Sequence, residues 1–422
     1  MNKFTIPKNL FKLTSSLPVS MIAFTSVFLM MSFNYSLNLA DFGDYIKAGS
    51  LITDRINPYE QLMYANSPVS ALFFYLVSWV LPFPIQPVMV HLLNVLGALF
   101  FLKWYVGQRF NALYLNLFVI TLVLGVGRAL FGNVQVTGIT LGLVALAFTL
   151  DHKLKSSYLP LLLLLLAFEI KPQLTLPFMV LFIFQRTGVF KKIFFLFFSA
   201  LTLHATVELY FGSNLHFTWL EKVFRYSKNS ILETSYEISI WKGINHIIDQ
   251  QQFLRLCSLL SIVITLILVA KYSKSNPEKA LFLALIFPVF NSYVHLYDYV
   301  GILLIAIKYV NLRRLESLIL MLPFLFIFPV SKNAFIFSLT IELLVIGSVI
   351  FRLKSRELVW VGLGLVLSQI IAYSWVFNLN QEIQMSIYLS LFVVFLSYYV
   401  YRIVFGRVAT HSDLRKNSYK LR

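Results

Sequence analysis

Long uncharged runs separated by short polar breaks set the pattern of this chain. Met21 to Met31, Ala112 to Leu124, Tyr158 to Phe168 and Ile262 to Ala270 carry no formal charge and do not alternate between apolar and polar positions. Barrel strands require such alternation, whereas a hydrocarbon layer about 30 Å thick requires roughly 20 apolar residues of helix. The pattern predicts helical spans near 17–37, 86–104, 112–131, 133–150, 158–170, 172–186, 190–211, 253–271, 279–292, 297–311, 314–330, 333–351, 358–376 and 384–404. Several fall short of a full crossing, so the pairs around Lys171 and His295 are expected to be broken or tilted helices. The apolar segment Pro68 to Phe83 ends in Leu81-Pro82-Phe83-Pro84, and is expected to lie along the outer interface rather than cross.

Composition strengthens this picture. Hydrophobic residues make up 59% of the 422 and charged residues only 13%, an excess that a water-soluble domain of this length does not carry. The fold class expected is therefore all-α integral membrane: one polytopic bundle over residues 1–422, with roughly 12 to 14 transmembrane helices and two large extracytoplasmic loops, 38–66 and 212–252. The formal charge of +17 would suggest nucleic acid in a soluble protein, but its placement explains it otherwise. Read from a cytoplasmic N-terminus, 25 of the 35 Lys and Arg fall in alternate, inward-facing loops, which predicts both termini in the cytoplasm and no nucleic-acid partner. Lysines precede the first apolar run, but no small-residue cleavage site follows, so that run is expected to stay as a span. The single Cys257 leaves no intrachain disulfide to form.

Ionisable groups at membrane depth are the informative residues, because each costs several kcal/mol unless partnered or wetted. Asp41 and Asp44 would share a face if their segment is helical, as a general base with a helper or as metal ligands, or else as a solvated acidic helix start. Arg128, with Asn133 and Gln135 in the turn Gly132-Asn133-Val134-Gln135, has the chemistry to hold a phosphate and a sugar, although amides there equally cap helices or join spans. Glu169-Ile170-Lys171-Pro172-Gln173 places a Glu and a Lys, expected to neutralise each other, beside a proline that breaks the helix. A lysine so placed suits an anionic lipid phosphate. His295 and Asp298 lie one helical turn apart among Tyr293, Tyr297 and Tyr299, as an ion pair or proton relay, with the tyrosines as an alternative interfacial belt. No further ligands are spaced with them for a metal, and no phosphate-binding loop, dinucleotide turn or hydrolase elbow occurs, so any donor group must come from the membrane.

The order of these motifs resembles a known family. Asp41-Phe42-x-x-Tyr45-x-x-Ala48-Gly49-x-Leu51, Asn57-Pro58-Tyr59 and Tyr64-x-x-Ser67-Pro68, followed by Gly132 to Gln135, Lys171-Pro172-Gln173-Leu174, Ser239-Ile240 and His295-Leu296-Tyr297-Asp298, is similar to glycosyltransferase family 87. Its members are GT-C-fold mannosyl- and arabinofuranosyltransferases that use polyprenyl-phosphate sugars. The likeness covers about residues 35–310; beyond it lie further apolar spans, about 311–405, and a basic cytoplasmic tail, 406–422. The chain reads Gly132-Asn133-Val134-Gln135 where the family usually reads Gly-Gln-x-Asn, and it lacks the proline often found before His295. The resemblance implies inverting transfer of a sugar to a glycan or glycolipid acceptor on the extracytoplasmic face of the plasma membrane, without a cofactor. Asp41 would be the base, with Asp44 second to it. Tyr45, Arg128, Asn133, Gln135, Lys171, His295, Tyr297 and Asp298 would bind substrate. Two rivals remain: a polysaccharide polymerase or oligosaccharide ligase using Arg225 of the 212–252 loop, and a non-enzymatic lipid or solute transporter.

Overall fold

Every secondary-structure element in the described part of the computed structural model is helical. The description covers residues 20–22, 24–26, 40–62, 66–80, 85–123, 136–154, 158–185, 187–212, 214–229, 241, 250–291, 298 and 300–309. The sequence-predicted spans from 314 onward and the turn 132–135 lie outside the described residues. Three segments, Val88–Arg109, Val189–Phe211 and Gln252–Ser275, are long and apolar enough to cross a membrane. The chain is thus an all-α membrane protein at the level these helices define.

Two of the long segments carry large side chains with nothing packed over them. Phe190, Phe194 and Phe197 on Val189–Phe211, and Leu259, Ile264 and Ile267 on Gln252–Ser275, are exposed, a distribution stable only where hydrocarbon replaces water around them.

The helices are α1 (Ala40–Thr53), α2 (Pro58–Gln61), α3 (Pro68–Val80), α4 (Ile85–Val106), α5 (Ala112–Val123), α6 (Thr137–Lys153), α7 (Leu159–Ile170), α8 (Pro172–Gln185), α9 (Val189–Phe211), α10 (Leu215–Asn229), α11 (Gln251–Ser275), α12 (Pro277–Ile286) and α13 (Val300–Tyr309). Both segments expected as extracytoplasmic loops contain helix: α1 and α2 fold within 38–66, and α10 within 212–252. Leu215, Trp219 and Lys222 recur at helical spacing on α10 and turn toward the bundle, with Leu215 buried; that amphipathic stripe is what makes the segment a helix.

Small residues let α4 and α6 touch. A Cβ added at Gly142 would stand 2.7 Å from the Gly97 Cα, and one added at Gly97 or Gly138 would strike the facing backbone. Asn94 of α4 closes this seam by accepting from the Gly138 and Ile139 amides at 2.6 and 3.2 Å, capping the first turn of α6 from a neighbouring helix.

The buried side chains divide into two clusters. The larger is built on α4 to α8, α12 and α13, with Phe101, Phe118, Phe178 and Phe282 among its fully buried rings. The smaller joins α1, α2 and α3 around Phe42, Tyr45 and Phe74 and reaches Ile170 at the end of α7. The break between α7 and α8 sits where the two meet: Ile170 belongs to the smaller cluster and Leu174 to the larger.

Candidate functional site: a buried lysine at a helix break

Pro172 accounts for the break. Proline disfavours helical conformation in the residue before it, and Lys171 is accordingly extended at φ −144°, ψ 84°. Carbonyls on both sides of the break find partners. The Ala167 carbonyl accepts from the Lys171 amide at 3.0 Å and the Thr175 hydroxyl at 2.9 Å, and the Lys171 carbonyl accepts from the Leu174 and Thr175 amides. The break is a built feature whose effect is to project the Lys171 side chain inward from the middle of an apolar stretch.

There its ammonium donates to Asp298 Oδ1 at 2.6 Å and to Thr137 Oγ1 at 2.7 Å, while the Thr137 hydroxyl donates to Asp298 Oδ1 at 3.5 Å. Lys171 is 5% exposed and Asp298 fully buried. The expected neutralisation of Lys171 by Glu169 does not occur. The two side chains take different partners because the extended Lys171 backbone separates their directions: Lys171 joins Asp298, and Glu169 joins His204.

Sequence-distant segments converge on this ion pair. Thr137 opens α6, two residues after Gln135 in the sequence. The Tyr45 hydroxyl of α1 donates to the Ile170 carbonyl at 3.5 Å, placing α1 against the break. Asp41 and Asp44 occupy the second and fifth positions of α1. Asp44 lies on the accessible side, where partial burial raises its carboxyl above the usual 3.8 against the opposing pull of Lys47. Arg128, Asn133, Gln135, His295 and Tyr297 lie outside the described residues. Of the candidate positions named from sequence, Tyr45, Lys171 and Asp298 are therefore brought together.

Beside this centre lies a polar chain that inspection of the sequence does not single out. Glu169 Oε1 is 2.9 Å from His204 Nε2, His204 Nδ1 is 2.7 Å from His216 Nε2, and His216 Nδ1 is 2.6 Å from Glu208 Oε2. Glu208 also accepts the Leu215 and His216 backbone amides, at 3.2 and 3.1 Å, where the positive end of α10 favours a carboxylate. The indole of Trp219 stacks on His204, with centroids 5.9 Å apart and planes 13° apart. His204, Glu208, His216 and Trp219 line an open cleft of about 350 Å³, whose remaining wall is apolar. The available signal was His204 and Glu208 themselves, ionisable residues four apart inside a predicted span.

α10 is fixed over this cleft by polar contacts to α2. Lys222 donates to the Tyr59 carbonyl at 2.7 Å and to the Leu62 carbonyl, and Asn57 donates to Thr218 at 2.8 Å. Burial lowers the Lys222 amine below the usual 10.5. Burial, reinforced by the Glu169 charge, raises the Tyr59 hydroxyl well above 10.0.

Among the described residues no three His, Cys, Asp or Glu side chains are grouped to hold a metal ion. Compared with known protein families, with curated proteins and with solved structures, the chain finds no match.

Proposed function

We propose that this protein is a membrane glycosyltransferase of the GT-C type. It moves a sugar, mannose foremost, from a polyprenyl-phosphate donor to a glycan or glycolipid acceptor on the extracytoplasmic face of the plasma membrane. The observation that carries this proposal is the convergence of α1, the first turn of α6, the Lys171 break and Asp298 on one buried ion pair. α1, the Lys171 break and Asp298 belong to the motifs whose order resembles family 87, and Thr137 follows two residues after another of them, Gly132 to Gln135. A buried, partnered lysine at a helix break has no purely structural need that an apolar residue would not meet.

The proposed chemistry follows from charge. Asp41 takes the proton of the acceptor hydroxyl as general base. The donor is a phosphodiester with one negative charge, and its phosphate gains a second as the bond to the sugar breaks. Lys171, already offset by Asp298, holds the singly charged donor weakly and the doubly charged leaving group more strongly. Stabilisation is thereby concentrated in the transition state. Thr137 and Asp298 position the ammonium in advance, so little reorganisation accompanies the reaction. Trp219 and the apolar wall beside it suit the sugar face and the first isoprene units of the donor.

The alternative of a lipid-linked polymerase or ligase rests on Arg225, whose guanidinium forms an exposed ion pair with Glu221 one turn away. The two proposals separate in a transfer assay. Membranes containing the chain should move radiolabelled mannose from polyprenyl-phosphate mannose into a product that membranes lacking it do not form. Absence of transfer from that donor and from other polyprenyl-phosphate monosaccharides would refute the proposal, and polymerisation of a lipid-linked oligosaccharide would favour the alternative.

A further inference from the structure

The chain Glu169–His204–His216–Glu208 has three links and therefore needs three protons, one in each. Two neutral imidazoles supply only two. Without the third, one link would set two lone pairs against each other at 2.9 Å or less, the repulsive reverse of a hydrogen bond.

The structure also indicates which link holds the extra proton. Glu208 accepts two backbone amides at the start of α10 as well as the His216 ring, so it serves as an ionised acceptor. His216 Nδ1 must then carry a proton toward Glu208. Glu208 already has two backbone amides as further donors, whereas the buried Glu169 faces His204, so the imidazolium is assigned to His204, and a neutral His216 accepts at Nε2 from His204 Nδ1. His204 Nε2 is left facing Glu169 Oε1 across 2.9 Å, and the third proton lies between them. Glu169 is nearly fully buried, at 4% exposure, two residues before Lys171, and the Ile170 carbonyl between them is the one that Tyr45 engages.

We propose that Glu169 and His204 form a proton store beside the Lys171 centre, kept in one tautomer by His216 and Glu208. His216 and Glu208 are positioning residues. The store's role in turnover rests on the glycosyl-transfer proposal. As the bond between the sugar and the donor phosphate breaks, its electron pair stays on the phosphate oxygen. Lys171 meets the second charge as it develops, and an O–H bond then forms at the phosphate as the third proton leaves the Glu169–His204 link. The acceptor oxygen bonds to the sugar and loses its proton to Asp41, and passing a proton on from Asp41 refills the link. The chain again holds three protons, and the products are the glycoside and a singly protonated polyprenyl phosphate. Ground-state Lys171 is already engaged by Asp298, so a separate proton donor anchored two residues away on the same helix break complements it.

The test needs one readout that does not depend on turnover. In the full-length chain with ¹⁵N-labelled histidine rings, in micelles, His204 should show both ring nitrogens protonated. His216 should show a protonated Nδ1 and a bare Nε2 coupled through the hydrogen bond to His204. Glu169→Gln should convert His204 to the neutral form, since an amide completes the link without a third proton, and Glu208→Gln should release His216 into mixed tautomers. A neutral His204 in the wild type overturns the store. In transfer from polyprenyl-phosphate mannose, Glu169→Gln should lower kcat about 10²-fold or more, change the solvent isotope effect and leave KM nearly unchanged, with partial rescue by Glu169→Asp. If His204 is doubly protonated but Glu169→Gln transfers like the wild type, the chain is structural only and the donor role falls. If the wild type transfers no lipid-linked sugar, the glycosyl-transfer proposal fails instead, and the ring spectra alone decide the store.

Discussion

Removing the Asp298 charge should expose how strongly the bundle depends on its buried ion pair. In Asp298→Asn the volume is preserved, but Lys171 loses the charged partner 2.6 Å from its ammonium, while Thr137 stays at 2.7 Å. Because Lys171 is 5% exposed and Asp298 fully buried, water cannot replace the lost charge without opening the contact between α6 and the α7–α8 break. Breaking a buried pair from one side typically costs about 3–5 kcal/mol, because the surviving charge is left uncompensated. The asparagine oxygen still accepts a hydrogen bond, so the lower end, about 3 kcal/mol, is expected. Lys171→Met should cost a similar amount by removing the cation that faces the buried carboxylate. The double variant Lys171→Met with Asp298→Asn strands neither charge and should be less damaged than the two single losses combined, by about 2 kcal/mol or more. Reversible unfolding of the full chain in mixed micelles with increasing dodecyl sulfate measures all four proteins. Single variants within about 0.5 kcal/mol of the wild type, or losses that simply add, would refute a coupled buried pair.

Other consequences can be checked by similar means. Gly138→Ala should force α4 and α6 apart, because the added Cβ would strike the Asn94 backbone. A loss of about 1–3 kcal/mol is expected in the same unfolding experiment, and unchanged stability would contradict the close seam. Asn94→Leu removes the cap on Gly138 and Ile139 and should cost about 1–2 kcal/mol, readable as faster amide exchange in the first turn of α6. Since burial lowers the Lys222 amine in the folded chain, the unfolded chain binds more protons between that lowered value and 10.5. Stability should therefore rise with pH through that window and level off above it. Lys222→Met should flatten the rise, and an unchanged slope would show that Lys222 is not its source.

The apolar pattern made the helical class legible: the expected span 190–211 falls within a residue of α9, and 253–271 lies inside the longer α11. The short helices α7 and α8 were legible for a different reason: Pro172, next to the charged Glu169 and Lys171, marks a break between two apolar runs, although Pro177 stands inside α8 without ending it. Lys171 and Asp298 stood out because charge at membrane depth demands a partner, but the sequence does not say which partner. Adjacency suggested Glu169, and the extended Lys171 backbone sends the two side chains to different neighbours. His204 and Glu208 were hidden within a run that reads as an ordinary span. Their partner His216 lies on α10, in a segment that reads as a loop until Leu215, Trp219 and Lys222 are placed on one stripe. Asn94 is similar: its role as a cap for α6 depends on how closely Gly97 and Gly138 let two helices approach, a tertiary fact that no local pattern carries.

The central claim is that α1 brings a general base to the Lys171 centre for glycosyl transfer. Its most direct test is transfer of radiolabelled mannose from polyprenyl-phosphate mannose in membranes containing the wild-type chain or Asp41→Asn, with matched protein levels. The amide keeps the shape of the side chain and removes the base, so the account predicts transfer by the wild type and a loss of about 10²-fold or more in the variant. Equal transfer by both would contradict the assignment of Asp41 and direct attention to Asp44, and no transfer by either would contradict the glycosyltransferase account itself.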